Sequence, residues 1–173
     1  MKAKGYSLWL IPKEEDIFKK LSNIVSTLSE EHGSPNFLPH VTLIGGIIGT
    51  GSDILEKTKT LASLINPYEV SLGDIGHSDE YFKSLFVHIE ETPFVIDANK
   101  KAQDIFCINK IYKPHLSLFY GDLNQEEKDL MFKKILHADF KSIHFRVEEL
   151  HLYHTNGVVD EWKEVANIKL DRS

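Results

Sequence analysis

Two pentapeptides constrain this chain more than any other feature. Pro39-His40-Val41-Thr42-Leu43 and Pro114-His115-Leu116-Ser117-Leu118 share one pattern: proline, histidine, aliphatic, hydroxyl, leucine. They stand 75 residues apart in a chain of 173. Each lies in an apolar, β-prone run and reads as a strand. Side chains alternate across a strand, so residues two apart share a face. His40 then points with Thr42, and His115 with Ser117. Two such strands brought together would line one pocket with two imidazoles and two hydroxyls.

The flanking elements repeat around these strands. Tyr6-Ser7-Leu8-Trp9-Leu10-Ile11 reads as a strand ended by Pro12. Apolar residues at three- and four-residue spacing predict a helix over about 13–32, stopped by Gly33. After the first His strand, Ser52 or Asp53 can cap a second helix to about Ile65, and Tyr68 to Leu72 reads as a strand. The order then recurs. Tyr81 to Ile89 is strand-like, and Thr92-Pro93 opens a helix to about Phe106. The second His strand comes next, then a helix capped by Asn124 with Glu127. Ile143 to Tyr153 reads as one strand. Asn156-Gly157 marks a hairpin turn before a last strand, Trp162 to Leu170. Pro12 matches Pro93, His40 matches His115 and Ser52 matches Asn124, at offsets of 81, 75 and 72. Unequal loops account for the drift. The pattern is an internal duplication of the α+β class. A pseudo-twofold axis would set the two His strands face to face. No low-complexity linker separates the halves, so residues 1–173 are expected to pack as one two-lobed unit.

Composition narrows the partners. Net charge is −6 with no basic block, which argues against gripping long nucleic acid through its phosphates. A small anionic substrate needs only a local positive spot. No apolar run approaches the ~20 residues that span a bilayer. The N-terminal residues lack the apolar core of a signal peptide. The single Cys107 forms no intramolecular disulfide and fits a reducing cytoplasm. A monomer is expected.

The His/hydroxyl set suits the opening of a five-membered cyclic phosphate by water. The water must lose a proton and the leaving ribose oxygen must gain one. An imidazole titrates near pH ~6.5, so one ring can be base and the other acid. Thr42 and Ser117 can donate to the non-bridging oxygens, where charge develops. No metal or cofactor is required. Two such tripeptides arise by chance in many chains. The shared proline before, the shared leucine after and the repeated flanks set these apart.

With these residues in view, the chain resembles the two-histidine (2H) phosphoesterase superfamily, and within it the plant and yeast cyclic phosphodiesterases. The stretches that carry the likeness include Tyr6-Ser7-Leu8-Trp9, Phe37 to Thr42, Tyr81-Phe82-Lys83, Tyr112 to Tyr120 and Glu161 to Ala166. The resemblance implies a LigT-like fold, with antiparallel sheets facing a central cleft and helices outside. It implies hydrolysis of ADP-ribose 1″,2″-cyclic phosphate to ADP-ribose 1″-phosphate, a late step in handling a tRNA-splicing by-product. It also implies opening of nucleoside 2′,3′-cyclic phosphates to 2′-phosphates. Carried over, His40, Thr42, His115 and Ser117 are the catalytic set, with His115 as base and His40 as acid. Trp9 and Tyr120 would line the substrate pocket.

Departures from that family pattern matter. Disulfide control seen in some relatives has no counterpart with one cysteine. Tyr120 is off-parity with His115 and Ser117, so the strand must bulge or end before Gly121 for it to reach the pocket. Bacterial members acting on RNA ends often carry a basic residue where Phe119-Tyr120 stands, which favours a small nucleotide here. Lys83 can offer charge to a second phosphate. His151 and His154 fall on opposite faces and make poor joint metal ligands. Two alternatives are a 2H phosphodiesterase acting on 2′-5′ or 2′,3′-cyclic RNA ends, and a nucleotide- or RNA-binding module without turnover.

Overall fold

The structure, a computed structural model, describes residues Met1–Asp171. Eight strands form one antiparallel sheet: β1 (Tyr6–Leu10), β2 (Val41–Ile47), β3 (Tyr68–His77), β4 (Leu85–Ile89), β5 (His115–Phe119), β6 (His144–Val147), β7 (Glu149–His154) and β8 (Lys163–Lys169). Their spatial order is β6-β3-β4-β5-β2-β1-β7-β8. Four helices accompany them: α1 (Glu15–His32), α2 (Gly51–Ala62), α3 (Pro93–Phe106) and α4 (Gln125–Ile135). The α+β class and the pseudo-twofold order agree with the sequence pattern. Reading outward from the centre, β2-β1-β7-β8 mirrors β5-β4-β3-β6.

Two features differ from expectation. The His strands lie side by side rather than face to face, joined by the single register pair of Val41 with Leu116. The run Ile143 to Tyr153 is two strands, broken at Glu148, and they sit in opposite halves. Each half thus lends strands to the other: β3 comes after α2 but pairs with β4, and β7 pairs with β1. The helices cross over as well, α1 lying on β5 and α3 on β2.

Local chemistry explains the elements. α1 buries Leu21, Val25 and Leu28 on one face and ends at Gly33, whose φ of 62° suits the left-handed cap. α2 is capped by Thr50 rather than Ser52 or Asp53; the Thr50 hydroxyl accepts from the Asp53 N–H. Asn124 and Glu127 form the expected reciprocal capping box on α4. The core runs through both halves, with Leu8, Leu43, Leu85, Leu116 and Leu118 fully buried. Each such side chain contributes roughly 1.5–3 kcal/mol by leaving water. Among the described residues no helix is long and apolar enough to cross a membrane.

Candidate active site

The two His motifs meet where β2 and β5 join. His40 stands one residue before β2, and His115 is the first residue of β5. Each ring is held alike: His40 Nδ1 lies 2.6 Å from the Leu38 carbonyl oxygen, and His115 Nδ1 lies 2.8 Å from that of Lys113. A carbonyl only accepts, so each Nδ1 donates and each neutral ring keeps its lone pair on Nε2. A flat side chain backs each ring. Trp9 stacks on His40 at 3.7 Å and 13°, and Phe86 meets His115 edge-on at 5.4 Å.

The duplication extends to the register. Trp9 lies opposite Thr42 and Leu8 opposite Ile44, so Leu43 is an extra residue in β2. Phe86 lies opposite Ser117 and Leu85 opposite Phe119, so Leu118 is the extra residue in β5. Both strands bulge at the leucine after the hydroxyl. A bulge flips the parity of the residues beyond it. Phe119 therefore turns into the core towards His32. Tyr120, just past the end of β5, comes to the Ser117 side, which is the side it needed to reach. Its ring stacks on Phe37 at 3.7 Å. Burial holds its hydroxyl well above the usual phenol range, and the Ser117 hydrogen bond opposes that rise.

Burial also sets the imidazoles. His40 is 5% exposed, and desolvation lowers it to about 4 against the raising effect of the Leu38 hydrogen bond; the charge of His115 lowers it further. His115 is half-buried and lowered chiefly by desolvation, with Lys83 adding to that and the Lys113 carbonyl opposing it. Burial thus favours the neutral form of both rings. Ser117 is equally buried, and its hydroxyl donates to the Phe82 carbonyl at 2.9 Å. Phe82 and Trp162, from the loops before β4 and before β8, meet at 5.7 Å beside this spot. The Phe82 loop is tied down by an ion pair between Asp79 and the buried Lys128.

From Val41 onward β2 separates from the second half, and a cleft of about 320 Å³ opens there. Thr42 and His115 line it, together with Gly45, Tyr112 and three lysines, Lys83, Lys110 and Lys113. These are the local positive spot in an acidic protein. Sequence reasoning singled out only Lys83; Lys110 and Lys113 stand just before the second motif and carried no periodic signal. Trp9 and Tyr120, expected as pocket walls, are 3% exposed and lie, with His40 and Ser117, outside the lining of this cleft. Trp9 backs His40, and Tyr120 backs Phe37. Polar side chains hold the β2 bulge from across the cleft: Asn99 Nδ2 donates to the Leu43 carbonyl at 2.7 Å, and the Tyr112 hydroxyl to that of Thr42 at 3.2 Å. Gln103 in turn bonds Asn99 and both backbone groups of Lys110. Among the described residues no three His, Cys, Asp or Glu side chains converge as metal ligands.

Comparisons with known proteins agree with this geometry. An Arabidopsis thaliana protein named cyclic phosphodiesterase is 28% identical over 180 residues, covering 99% of this chain and 98% of its own. A Candida albicans protein named 2′,3′-cyclic-nucleotide 3′-phosphodiesterase is 26% identical over 60% of this chain and 49% of its own. The crystal structure of E. coli LigT in apo form superposes with a TM-score of 0.62 at 12% identity, over 98% of this chain and 99% of LigT, and shares the fold. Residues 4–170 match the family described as cyclic phosphodiesterase-like protein, and the chain belongs to that family of 2H phosphoesterases.

Proposed function

We propose that the protein hydrolyses a small cyclic phosphate, either ADP-ribose 1″,2″-cyclic phosphate or a nucleoside 2′,3′-cyclic phosphate. One observation carries this reading: two imidazoles, each pinned through Nδ1 and each succeeded two residues later by a hydroxyl, meet at the seam of a duplicated sheet. Water attacks phosphorus, one P–O ester bond breaks, and a phosphomonoester and a free hydroxyl result. His115 opens onto the cleft, where water arrives, and takes the proton of the attacking water. His40, buried against Trp9, gives a proton to the leaving oxygen. The anionic phosphate raises both rings as it binds, which lets His40 hold that proton. Thr42 and Ser117 donate to the non-bridging oxygens. For Ser117 to do so, phosphate must replace the Phe82 carbonyl, so the Phe82 loop shifts on binding. The relatives named for cyclic phosphate substrates support the substrate class. The acidic surface favours a small nucleotide over an RNA chain, acted on by a monomer in the cytoplasm as part of handling RNA by-products.

The deciding assay incubates the protein with ADP-ribose 1″,2″-cyclic phosphate and each nucleoside 2′,3′-cyclic phosphate and identifies the oxygen that keeps phosphate. His40→Ala and His115→Ala should each lose about 10²–10⁴-fold in kcat with the fold intact. Full activity in either variant overturns the mechanism.

A further inference from the structure

Many lysines of this protein meet a carboxylate, as Lys57 meets Asp53 and Lys101 meets Asp97. In the cleft beside His115, Lys113 does the same with Glu91 at 3.1 Å. Among the described residues, Lys83 and Lys110 have no carboxylate partner. Lys83 lies over the Phe86 ring, 4.7 Å from its centroid, and that ring meets the His115 imidazole. The ammonium thus stands one ring removed from the imidazole, and its charge lowers His115. Lys110 comes from the facing wall. Its Nζ is 3.5 Å from where a Cβ on Gly46 would stand, just past the β2 bulge. Both lysines are carried on anchored backbone. Ser78 Oγ donates to the Lys83 carbonyl at 2.7 Å. Gln103, held by the buried Asn99, accepts from the Lys110 N–H at 3.1 Å and donates to the Lys110 carbonyl at 3.0 Å. Glu80 is the one carboxylate in the lining, against three lysines, so this cleft is positive in a chain of net charge −6. A cleft lined by one sign of charge draws in the opposite sign.

We infer that Lys83 and Lys110 form a second anion subsite, which takes a phosphate carried on the 5-carbon of the ribose whose cyclic phosphate is opened. This rests on the proposed function, in which the reacting phosphate sits at the seam among His40, Thr42, His115 and Ser117. The cleft is not where the ester bond breaks; it lies alongside, reached past His115 and Thr42. Ribose geometry links the two places. A 2′,3′-cyclic phosphate occupies one edge of the sugar, and C1′ and C4′ leave opposite ends of that edge. A phosphate on the seam therefore sends the base to one side and the 5′ carbon to the other. Aromatic rings gather on the Ser117 side, where Phe82 and Trp162 meet Tyr120 at 5.3 and 6.1 Å, and a base suits them. Free ammonium groups gather on the Thr42–His115 side, and a 5′-phosphate suits those. At about 320 Å³ the cleft has room for such a group beside the attacking water. A 5′-phosphorylated nucleoside 2′,3′-cyclic phosphate presents this group, and ADP-ribose 1″,2″-cyclic phosphate presents it as the diphosphate on its 5″ carbon. A cyclic phosphate with a free 5′-hydroxyl leaves both lysines unused.

The test compares kcat/KM for adenosine 2′,3′-cyclic phosphate with and without a 5′-phosphate, in the wild type, Lys83→Met, Lys110→Met and Lys110→Arg. In the wild type the 5′-phosphate should raise kcat/KM roughly tenfold or more, the effect of one charge-assisted contact. Without a subsite, the added negative charge should lower it in so acidic a protein. The gain should fall as salt rises, shrink towards nothing in each Met variant and persist in Lys110→Arg. Taking the ratio of the two substrates cancels any change in the chemical step itself, such as one Lys83→Met causes through His115. A wild-type ratio within about twofold of one, or a tenfold ratio that survives both Met variants, overturns the inference. ADP-ribose 1″,2″-cyclic phosphate, run in parallel, separates the two sources of phosphate. Loss in Lys110→Met on both substrates assigns the subsite to monophosphate and diphosphate alike, and loss on one alone assigns it to that one. If the wild type turns over no cyclic phosphate, the proposed function fails, and binding still decides the subsite. Calorimetry then compares adenosine 2′,5′-bisphosphate with 2′-AMP. Tighter binding of the bisphosphate that is lost in Lys110→Met supports the subsite; equal binding, or binding of neither, overturns it.

Discussion

A neutral imidazole that donates its Nδ1 proton to a carbonyl can act only through Nε2, as an acceptor when neutral and as a donor when charged. Both site histidines are fixed in this way, so the chemistry depends on which ring holds a proton. Burial lowers His40 to about 4 and also lowers His115 below the ordinary ~6.5. The proposed mechanism needs one ring charged and the other neutral. Below the lower value both rings are charged and no base is left, and above the higher value both are neutral and no acid is left. The profile of kcat/KM should therefore be a bell with its maximum on the acid side of pH ~6.5. Lys83 contributes to holding His115 down, so Lys83→Met should move the alkaline limb upward. An optimum above neutrality, or an alkaline limb indifferent to Lys83, would count against this account.

The bulges at Leu43 and Leu118 are the elements that aim the site. An extra residue loses its ladder partner, so its backbone groups need others. In β2 the partners are Asn99 from α3 and Tyr112, both from the other half of the duplication. Asn99→Leu keeps the volume and strands the Leu43 carbonyl, at a cost of about 1–3 kcal/mol of stability. The bulge also sets Thr42, so kcat should fall as well. In a Thr42→Val background the kcat loss from Asn99→Leu should shrink, because the hydroxyl it positions is gone; strict additivity of the two losses would show that Asn99 does nothing through Thr42. None of this tie was legible in the sequence. Period-two alternation located His40, Thr42, His115 and Ser117, since strands place residues two apart together. The same parity showed that Tyr120 required a break, but a bulge depends on the partner strand and leaves no local signature. The split of Ile143 to Tyr153 was hidden for a related reason. β6 and β7 are separated by one residue. The Glu148-Glu149 pair shifts the apolar alternation from Phe145 and Val147 to Leu150 and Leu152, which reads equally as a bulge in one strand. Pairing with β3 and β1 separates them. Lys110 and Lys113 join the cleft because β2 and β5 diverge after one pair, which no local pattern records.

Across the whole molecule, the central seam buries an ionisable group in the middle of an eight-stranded sheet, and this couples folding to pH. His40 has a folded value of about 4 and an unfolded value near ~6.5. Between these, the unfolded chain binds a proton that the folded protein refuses. Stability is therefore fully present above pH ~6.5 and declines as pH falls towards 4. At ~1.4 kcal/mol per unit, the His40 contribution to this loss is about 3 kcal/mol. Carboxylates such as Glu149, lowered by Lys13 and its other partners despite desolvation, add their own acid loss, so wild-type titration alone does not isolate His40. His40→Asn removes the titrating ring and keeps an amide able to donate to the Leu38 carbonyl. Urea unfolding at pH 7 and at pH 4 should show the wild type losing about 3 kcal/mol more than His40→Asn over that interval. Equal losses in the two proteins would mean that His40 can be charged in the folded state, as it would be if the Phe82 and Trp162 loops stood open and water reached the ring.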